Sequence, residues 1–135
     1  MPLSVVLDSN MLVYVAQKRI DLFAEIERLL LGRVRFIILR QVVDELQRLT
    51  SNQSKTGREA SLALKIIRKH KVTEVSTQKG ETTDSLILRF ASDTGSIVAT
   101  GDSQLRRLAR NANIPLIYLK GGTRLALEGL EPAYH

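Results

Sequence analysis

Short runs of β-branched and aliphatic residues alternate with amphipathic stretches along this chain, and that alternation constrains the fold more than any other feature. LSVVL at 3–7, VRFIIL at 34–39, SIVAT at 96–100 and PLIYL at 115–119 read as buried strands, because their apolar character is continuous rather than alternating. KVTEVS at 71–76 reads as a shorter strand. Between them lie helical patterns. In 20–31, Leu22, Ile26, Leu29 and Leu30 share one face, with Gly32 as a stop. In 41–49 the face is Val42, Leu46 and Leu49, and in 58–70 it is Leu62, Ile66 and Ile67. Residues 84–94, ended by Gly95, and 102–112 also read as helices, and Asn10 is expected to cap a short helix after the first strand. TSNQSKTG at 50–57 and QKGETT at 78–83 read as loops, whereas the tail from Lys120 is ambiguous. Strands separated by helices argue for an α/β fold with a parallel sheet and right-handed crossovers. The chain has 135 residues, no internal repeat, and no linker beyond the short 50–57 stretch, so 1–135 is expected to form a single domain.

Composition removes several classes of function. Cysteine is absent, which excludes disulfides, thiolate catalysis, Cys-ligated zinc and an attached zinc ribbon. No apolar run reaches the roughly 20 residues a membrane span needs, and the opening MPLSVVLDSN does not read as a secretory signal, so a cytoplasmic protein is expected. Twenty Lys and Arg against 14 Asp and Glu give a net charge of +6, which favours a polyanion such as RNA. With no Trp and only 4% aromatic residues, a base-stacking platform is not expected.

Against this basic background, four acids fall where a parallel sheet would present a ligand. Asp8 directly follows the first strand, and Asp102 follows SIVAT after one glycine. Ligands of open α/β sheets bind beyond the carboxyl ends of the strands. Glu45 lies early in the helix after the second strand, and Asp84 opens the helix after the 78–83 loop, so both belong to the same rim. Taken singly, Asp102 reads as a helix cap, Asp84 as an acid favoured by the helix dipole with Thr83 as cap, and Glu45 as a solvated acid. Together they form a cluster that cannot fully ionise without a counter-charge, and hard divalent ions with oxygen ligands supply one. Such an ion in a basic protein suits hydrolysis of a phosphodiester. Asp44 adjoins Glu45 and points about 100° away on a helix, and apolar spacing alone does not choose between them. Asp93, Asp21, Glu25, Glu27 and Glu59 read as exposed helix charges.

The segments VVLDSNMLVY, VVDELQRL, TTDSLILRFA and IVATGDSQLRR, in this order, resemble the PIN-domain nucleases across essentially the whole chain. The resemblance implies a three-layer α/β/α sandwich with a central, mostly parallel five-stranded sheet, and Mg²⁺- or Mn²⁺-dependent cleavage of single-stranded RNA. It implies that Asp8, Glu45, Asp84 and Asp102 hold the metal directly or through water. Ser9, Asn10, Thr100 and Ser103 would orient carboxylates, water or phosphate. Ser9 stands where Thr is commoner, and Gln104 occupies the nearest position to which many members bring a further acid. Within the family, IVATGDSQLRRLARNANIPLIYLKGG looks more like the proteins that process small-subunit ribosomal RNA than like VapC-type toxins. The corresponding partners are a ribosomal assembly factor or an antitoxin, and a homodimer is expected from the family's habit.

Arg106, Arg107 and Arg110 follow Asp102, and Arg106 and Arg110 share a helix face, so these three are expected to guide RNA phosphates. Lys65, Arg68, Lys69, His70 and Lys71 form a second basic group, weaker as an RNA contact because cations at a helix end also offset its dipole. His70 and His135 lack a second ligand at useful spacing for metal binding. A non-catalytic RNA- or protein-binding scaffold of the same family is the competing function, and the four retained acids argue against it. A phosphoacceptor receiver domain shares the size and β/α order, but VRFIIL and KVTEVS are not followed by the aspartate that phosphorylation requires. No GxGxxG follows the first strand, so dinucleotide binding has no support.

Overall fold

The computed structural model describes residues 3–78, 81–121 and 124–130. The elements are β1 (Leu3–Leu7), α1 (Ser9–Lys18), α2 (Leu22–Leu30), β2 (Val34–Leu39), α3 (Arg40–Leu49), α4 (Lys55–Lys69), β3 (Thr73–Val75), α5 (Thr83–Thr94), β4 (Ile97–Ala99), α6 (Ser103–Asn111), β5 (Leu116–Lys120) and β6 (Arg124–Glu128). They form one six-stranded sheet in the order β3-β2-β1-β4-β5-β6. All pairings are parallel except β5 with β6.

The order of the strands explains where the helices go. From β1 the chain steps outward through β2 to β3, then returns through α5 to β4 and steps the other way to β5. Right-handed crossovers therefore place α1 to α4 on one face and α5 and α6 on the other. The packing agrees: α1, α3 and α4 contact one another, while α5 lies on β4, α6 on β5, and these two helices touch. A sheet covered on both faces needs continuous apolar strands. Val5, Val6, Leu7, Ile97, Val98 and Ala99 are accordingly at most 1% exposed.

The three-layer α/β fold is as expected, with one addition. The sheet has six strands rather than five, because the ambiguous tail supplies β6. Its segment RLALE is only half-buried and carries no long apolar run. What makes it a strand is hairpin pairing with β5, from Leu116↔Glu128 to Lys120↔Arg124, a non-local gain that periodicity does not report.

Three local expectations are corrected. The loop 50–57 is shorter, because α4 begins at Lys55, with Ser54 as cap accepting from the Gly57 N–H at 3.4 Å. Polar first turns of helices resemble loops in composition. Asp8, not Asn10, caps α1, accepting from the Ser9 N–H at 2.8 Å. Asp21 is not a passive surface charge, since it caps α2 through the Ala24 N–H at 3.1 Å. Most of the apolar faces at 20–31 and 58–70 are taken up by the core, including Leu22, Phe23, Ile26, Ala60, Ala63 and Leu64, whereas Leu31 and Leu62 stay exposed. Among the described residues no helix is long and apolar enough to cross a membrane. His135 lies outside the described residues.

Candidate functional site

The chain reverses its direction of travel across the sheet between β1 and β4, which are neighbours with Leu7 opposite Ala99. In an open α/β sheet the crevice beyond the carboxyl ends of two such strands is where ligands bind. Asp8 leaves β1 at that point and stays tied to β4 through its N–H to the Ala99 carbonyl at 3.0 Å. Thr100, Gly101 and Asp102 leave β4 beside it. The topology thus brings together residues 92 positions apart.

A dense hydrogen-bond network fixes this junction. The Thr100 hydroxyl donates to Asp8 Oδ2 at 2.7 Å and accepts from the Asp102 N–H at 3.0 Å, so one fully buried side chain positions two acids. Asn10 Oδ1 accepts from the Gly101 N–H at 2.9 Å and lies 3.2 Å from the Thr100 hydroxyl, latching the first turn of α1 to the β4–α6 connection. An added Cβ on Gly101 would lie 3.3 Å from a Leu119 methyl and 3.6 Å from Asn10 Oδ1, so a larger residue would crowd this latch. The Ser9 hydroxyl donates to Glu45 Oε1 at 2.8 Å, joining α1 to α3. Asp102 Oδ1 accepts from the Gln104 N–H at 2.8 Å and caps α6. Ser103 is exposed at the start of α6, outside this network.

The choice between Asp44 and Glu45, open from spacing alone, is settled by partners. Asp44 pairs with Arg40 at 3.1 Å, and Arg40 in turn with Glu74, while Glu45 turns to Ser9. Asp84 sits in the first turn of α5, whose cap is Thr82 rather than Thr83, accepting from the Ser85 N–H.

Electrostatics link all four acids. Burial raises the Asp8 pKa from 3.8 to about 6, against the opposing hydrogen bonds from Thr100 and Ser9, and the charges of Asp84 and Glu45 add to the rise. Desolvation likewise raises Asp84, helped by the charges of Asp102 and Glu45. Asp8 and Asp84 are therefore near enough to other acids of the rim to feel their charge. They are not drawn into a tight set: among the described residues no three His, Asp or Glu side chains are gathered for direct coordination. Their donors are all oxygen, the chemistry that suits a hard divalent cation, and a carboxylate whose pKa is raised chiefly by burial and further by neighbouring acids is a group that such a cation would relieve.

Arg106 and Arg110 are both held by Glu128 of β6. Arg110 binds it in a fork, at 2.7 and 3.0 Å, and Arg106 reaches it at 3.5 Å while lying 3.6 Å from the centre of the Tyr118 ring. This pairing lowers the Glu128 pKa. Of the three arginines, Arg107 is exposed with no ion pair among the described residues. Glu128 carries no signal in the sequence, because its strand forms only through hairpin pairing with β5.

A family model described as a PIN like domain matches residues 5–122. The chain belongs to the PIN-domain family. It is 32% identical over 120 residues to ribonuclease VapC4 of Methanocaldococcus jannaschii, covering 86% of this chain and 89% of the relative. It is also 32% identical over 129 residues to ribonuclease VapC9 of Archaeoglobus fulgidus, covering 93% and 90%. Among solved structures, the PIN domain endonuclease Utp24 superposes with a TM-score of 0.80 at 26% identity, covering 96% of this chain and 93% of that one. A domain of a functionally unknown protein from Methanocaldococcus jannaschii, at a TM-score of 0.62 and 20% identity, shares the PIN-like fold over 98% and 99% of the two chains.

The Thr100 bridge gives a direct test of this PIN rim. Thr100→Val preserves shape but leaves Asp8 Oδ2 without its donor and the Asp102 N–H without its acceptor. A stability loss of about 1–3 kcal/mol is expected in denaturant titration, the usual effect of stranding buried polar groups. A variant as stable as the parent would show that the bridge is not formed in solution.

Proposed function

We propose that this protein is a metal-dependent endoribonuclease that hydrolyses single-stranded RNA at the rim formed by Asp8, Glu45, Asp84 and Asp102. The observation that carries the reading is the convergence at one rim of Asp8 and Asp102, tied together through Thr100, with Glu45 held by Ser9 and with Asp84, whose charge is felt at Asp8, within a net-basic chain. Acids brought to one rim with raised pKa values are a common mark of a functional site. The site is an open rim, which suits an extended polynucleotide better than a small ligand. One cleft, of about 470 Å³, lies elsewhere, bordered by Leu3, Ser4 and Arg35 at the opposite ends of the strands.

A bound Mg²⁺ or Mn²⁺ would activate water and neutralise charge developing on the phosphate. In this reading the four acids hold the ion directly or through its water shell. Thr100 keeps the Asp8 carboxylate fixed and aims Asp102, and Ser9 holds Glu45. Asn10 keeps the two halves of the rim in register. Arg107 meets the RNA backbone, while Arg106 and Arg110 can do so only in competition with Glu128.

For the biological setting, the two relatives named VapC ribonucleases favour a toxin-like ribonuclease with an antitoxin partner over ribosomal-RNA processing. The resemblance of IVATGDSQLRRLARNANIPLIYLKGG to the processing-type members keeps the processing reading as the alternative. The deciding experiment follows a labelled single-stranded RNA with Mg²⁺, with Mn²⁺ and with excess chelator, for the parent and for Asp84→Asn. Cleavage is expected with either ion, none with chelator, and at least about 100-fold less with the variant, as when a metal site loses its support. Chelator-resistant cleavage, or full activity in the variant, would remove the assignment. Growth arrest on expression in a heterologous cell, absent for the variant, would separate the toxin-like setting from the processing one.

A further inference from the structure

A cleft of about 270 Å³ opens between α5 and the segment that leaves β3. Leu86, Arg89, Phe90 and Asp93 form one wall, at a spacing that puts them on a single face of α5. Thr77 and Gln78, which follow β3, form the other. Both walls adjoin the acid rim. Gln41 Nε2 donates to the Thr77 carbonyl at 3.5 Å, and Gln41 stands one helical turn before Glu45 on α3. Asp84 lies two residues before Leu86 on α5. The cleft therefore begins beside two of the four acids and follows α5 away from them. It ends at Asp93, about 13 Å along the axis from Asp84, with side chains tilted back toward the helix start. That reach suits the sugar and base of one nucleotide whose phosphate lies at the rim.

The lining is apolar along its length and polar at its far end. Leu86 is buried, and the half-buried Phe90 supplies an aromatic surface. Asp93 is exposed and has no ion pair among the described residues. Arg89 engages Glu81 through one nitrogen, which leaves other N–H donors of its guanidinium. Thr77 Oγ1 is buried without a hydrogen-bond partner, an unmet polar group on the cleft wall. A flat ring with apolar faces and polar edges matches these walls, and bases splayed from single-stranded RNA are held in this way, stacked on an aromatic side chain and read along their edges. Of the four bases, guanine alone offers two adjacent donors, N1–H and the 2-amino group, together with two acceptors, O6 and N7. A carboxylate accepts from the first pair, and a guanidinium donates to the second. Asp93 and Arg89 lie one turn apart on α5.

We infer that this cleft is a base subsite for guanine, stacked on Phe90, with Asp93 accepting from N1–H and the 2-amino group and Arg89 donating to O6 and N7. The inference rests on the reading of the rim as an RNA-cleaving site and adds a sequence preference to it. Asp93, a solvated helix charge by its spacing, becomes a specificity residue. One enclosed ring on one phenylalanine is also compatible with a chain too poor in aromatic residues for an extended stacking platform.

Nucleoside monophosphates titrated in excess chelator, followed by protein NMR, test the cleft without cleavage or metal. Guanosine monophosphate is expected to bind at least about tenfold tighter than the adenosine, cytidine and uridine forms. Asp93→Asn, a change at an exposed position, is expected to cut that advantage below about twofold. An amide presents one acceptor and one donor, which matches xanthine, where an oxygen replaces the 2-amino group. Xanthosine monophosphate is therefore expected to bind the variant at least about tenfold tighter than the parent, a gain that a merely structural Asp93 would not give. Equal affinities for the four nucleotides, an unchanged preference in the variant, or no gain for the xanthine form would each overturn the inference. Cleavage of labelled RNA with Mg²⁺ separates it from the reading beneath it. Cutting that is indifferent to guanine would overturn the base subsite and leave the nuclease. Selective guanosine monophosphate binding by a chain that cuts no RNA would uphold the subsite and remove the nuclease.

Discussion

Asp8→Asn is expected to make the protein more stable and less active at the same time. Asp8 is only 5% exposed, and its pKa is raised from 3.8 to about 6, with burial as the main cause. A carboxyl whose folded-state pKa exceeds its unfolded value binds its proton more tightly in the native state. That contribution is fully present below pH 3.8 and is lost as pH rises to about 6. At neutral pH the ion-free protein therefore carries the whole penalty, up to about 3 kcal/mol for a shift of this size. Asparagine keeps the shape and has no charge to bury; its single oxygen keeps the bond from the Thr100 hydroxyl and gives up the one from the Ser9 N–H, a loss of about 1 kcal/mol that the relieved charge penalty exceeds. In chelator, unfolding followed from pH 4 to 8 should show the parent losing stability up to about pH 6 and the variant nearly flat over that window. Equal slopes for both proteins would mean that Asp8 is not the destabilising group. RNA cleavage by the variant should fall by more than about 100-fold. Added Mn²⁺ should stabilise the parent and not the variant. An acid that weakens the fold while serving the reaction is the trade expected of a functional site, and a merely structural cap would show loss in both respects.

Order along the chain brings Asp8 and Asp102 forward as candidates, and the structure adds their neighbours across the sheet. Asp8 and Asp102 were legible because each follows a continuous apolar run, and the end of such a run in an α/β chain is a rim position. That β1 and β4 are adjacent was not legible, because strand order depends on crossovers between segments about 90 residues apart, not on any local pattern. For the same reason Thr100 was recognisable as a supporting residue only through family resemblance. Its two bonds, to Asp8 and to the Asp102 N–H, exist only once those strands are side by side. Asn10 departs from the expected cap for a local reason: Asx residues at helix starts are usually caps, but here Asp8 takes that role and frees Asn10 to reach Gly101. The arginines of α6 show the converse. Arg106 and Arg110 share a helix face as their spacing requires, but their partner Glu128 lies on a strand whose formation depends on hairpin pairing, so a face expected to meet RNA is in part committed to the protein itself.

Gly57→Ala is expected to destabilise the protein by more than about 2 kcal/mol, although helix propensity alone favours the opposite sign. Replacing a glycine within a helix by alanine ordinarily gains about 0.5–1 kcal/mol. Gly57 stands in the first turn of α4, where the loop after α3 folds back over it. A Cβ there would lie 1.8 Å from the Asn52 carbonyl oxygen, 2.9 Å from its carbon and 3.1 Å from the Leu49 carbonyl oxygen. All three are backbone atoms, so no side-chain rotation relieves the overlap. Either the loop lifts, or the first turn of α4 shifts and loses the Ser54 cap. Overpacking of this kind usually outweighs a propensity gain. Gly32, where an added Cβ meets nothing within 4 Å, provides the control, and Gly32→Ala should change stability by no more than about 0.5 kcal/mol. The effect should also reach the rim. α4 packs on α1 and α3, and the Ser9–Glu45 hydrogen bond joins those two helices. Denaturant midpoints for the two alanine variants, measured beside cleavage rates at low temperature, separate these outcomes. If Gly57→Ala is as stable as Gly32→Ala, the loop does not close over α4 as described, and the packing that holds Glu45 in place must come from elsewhere.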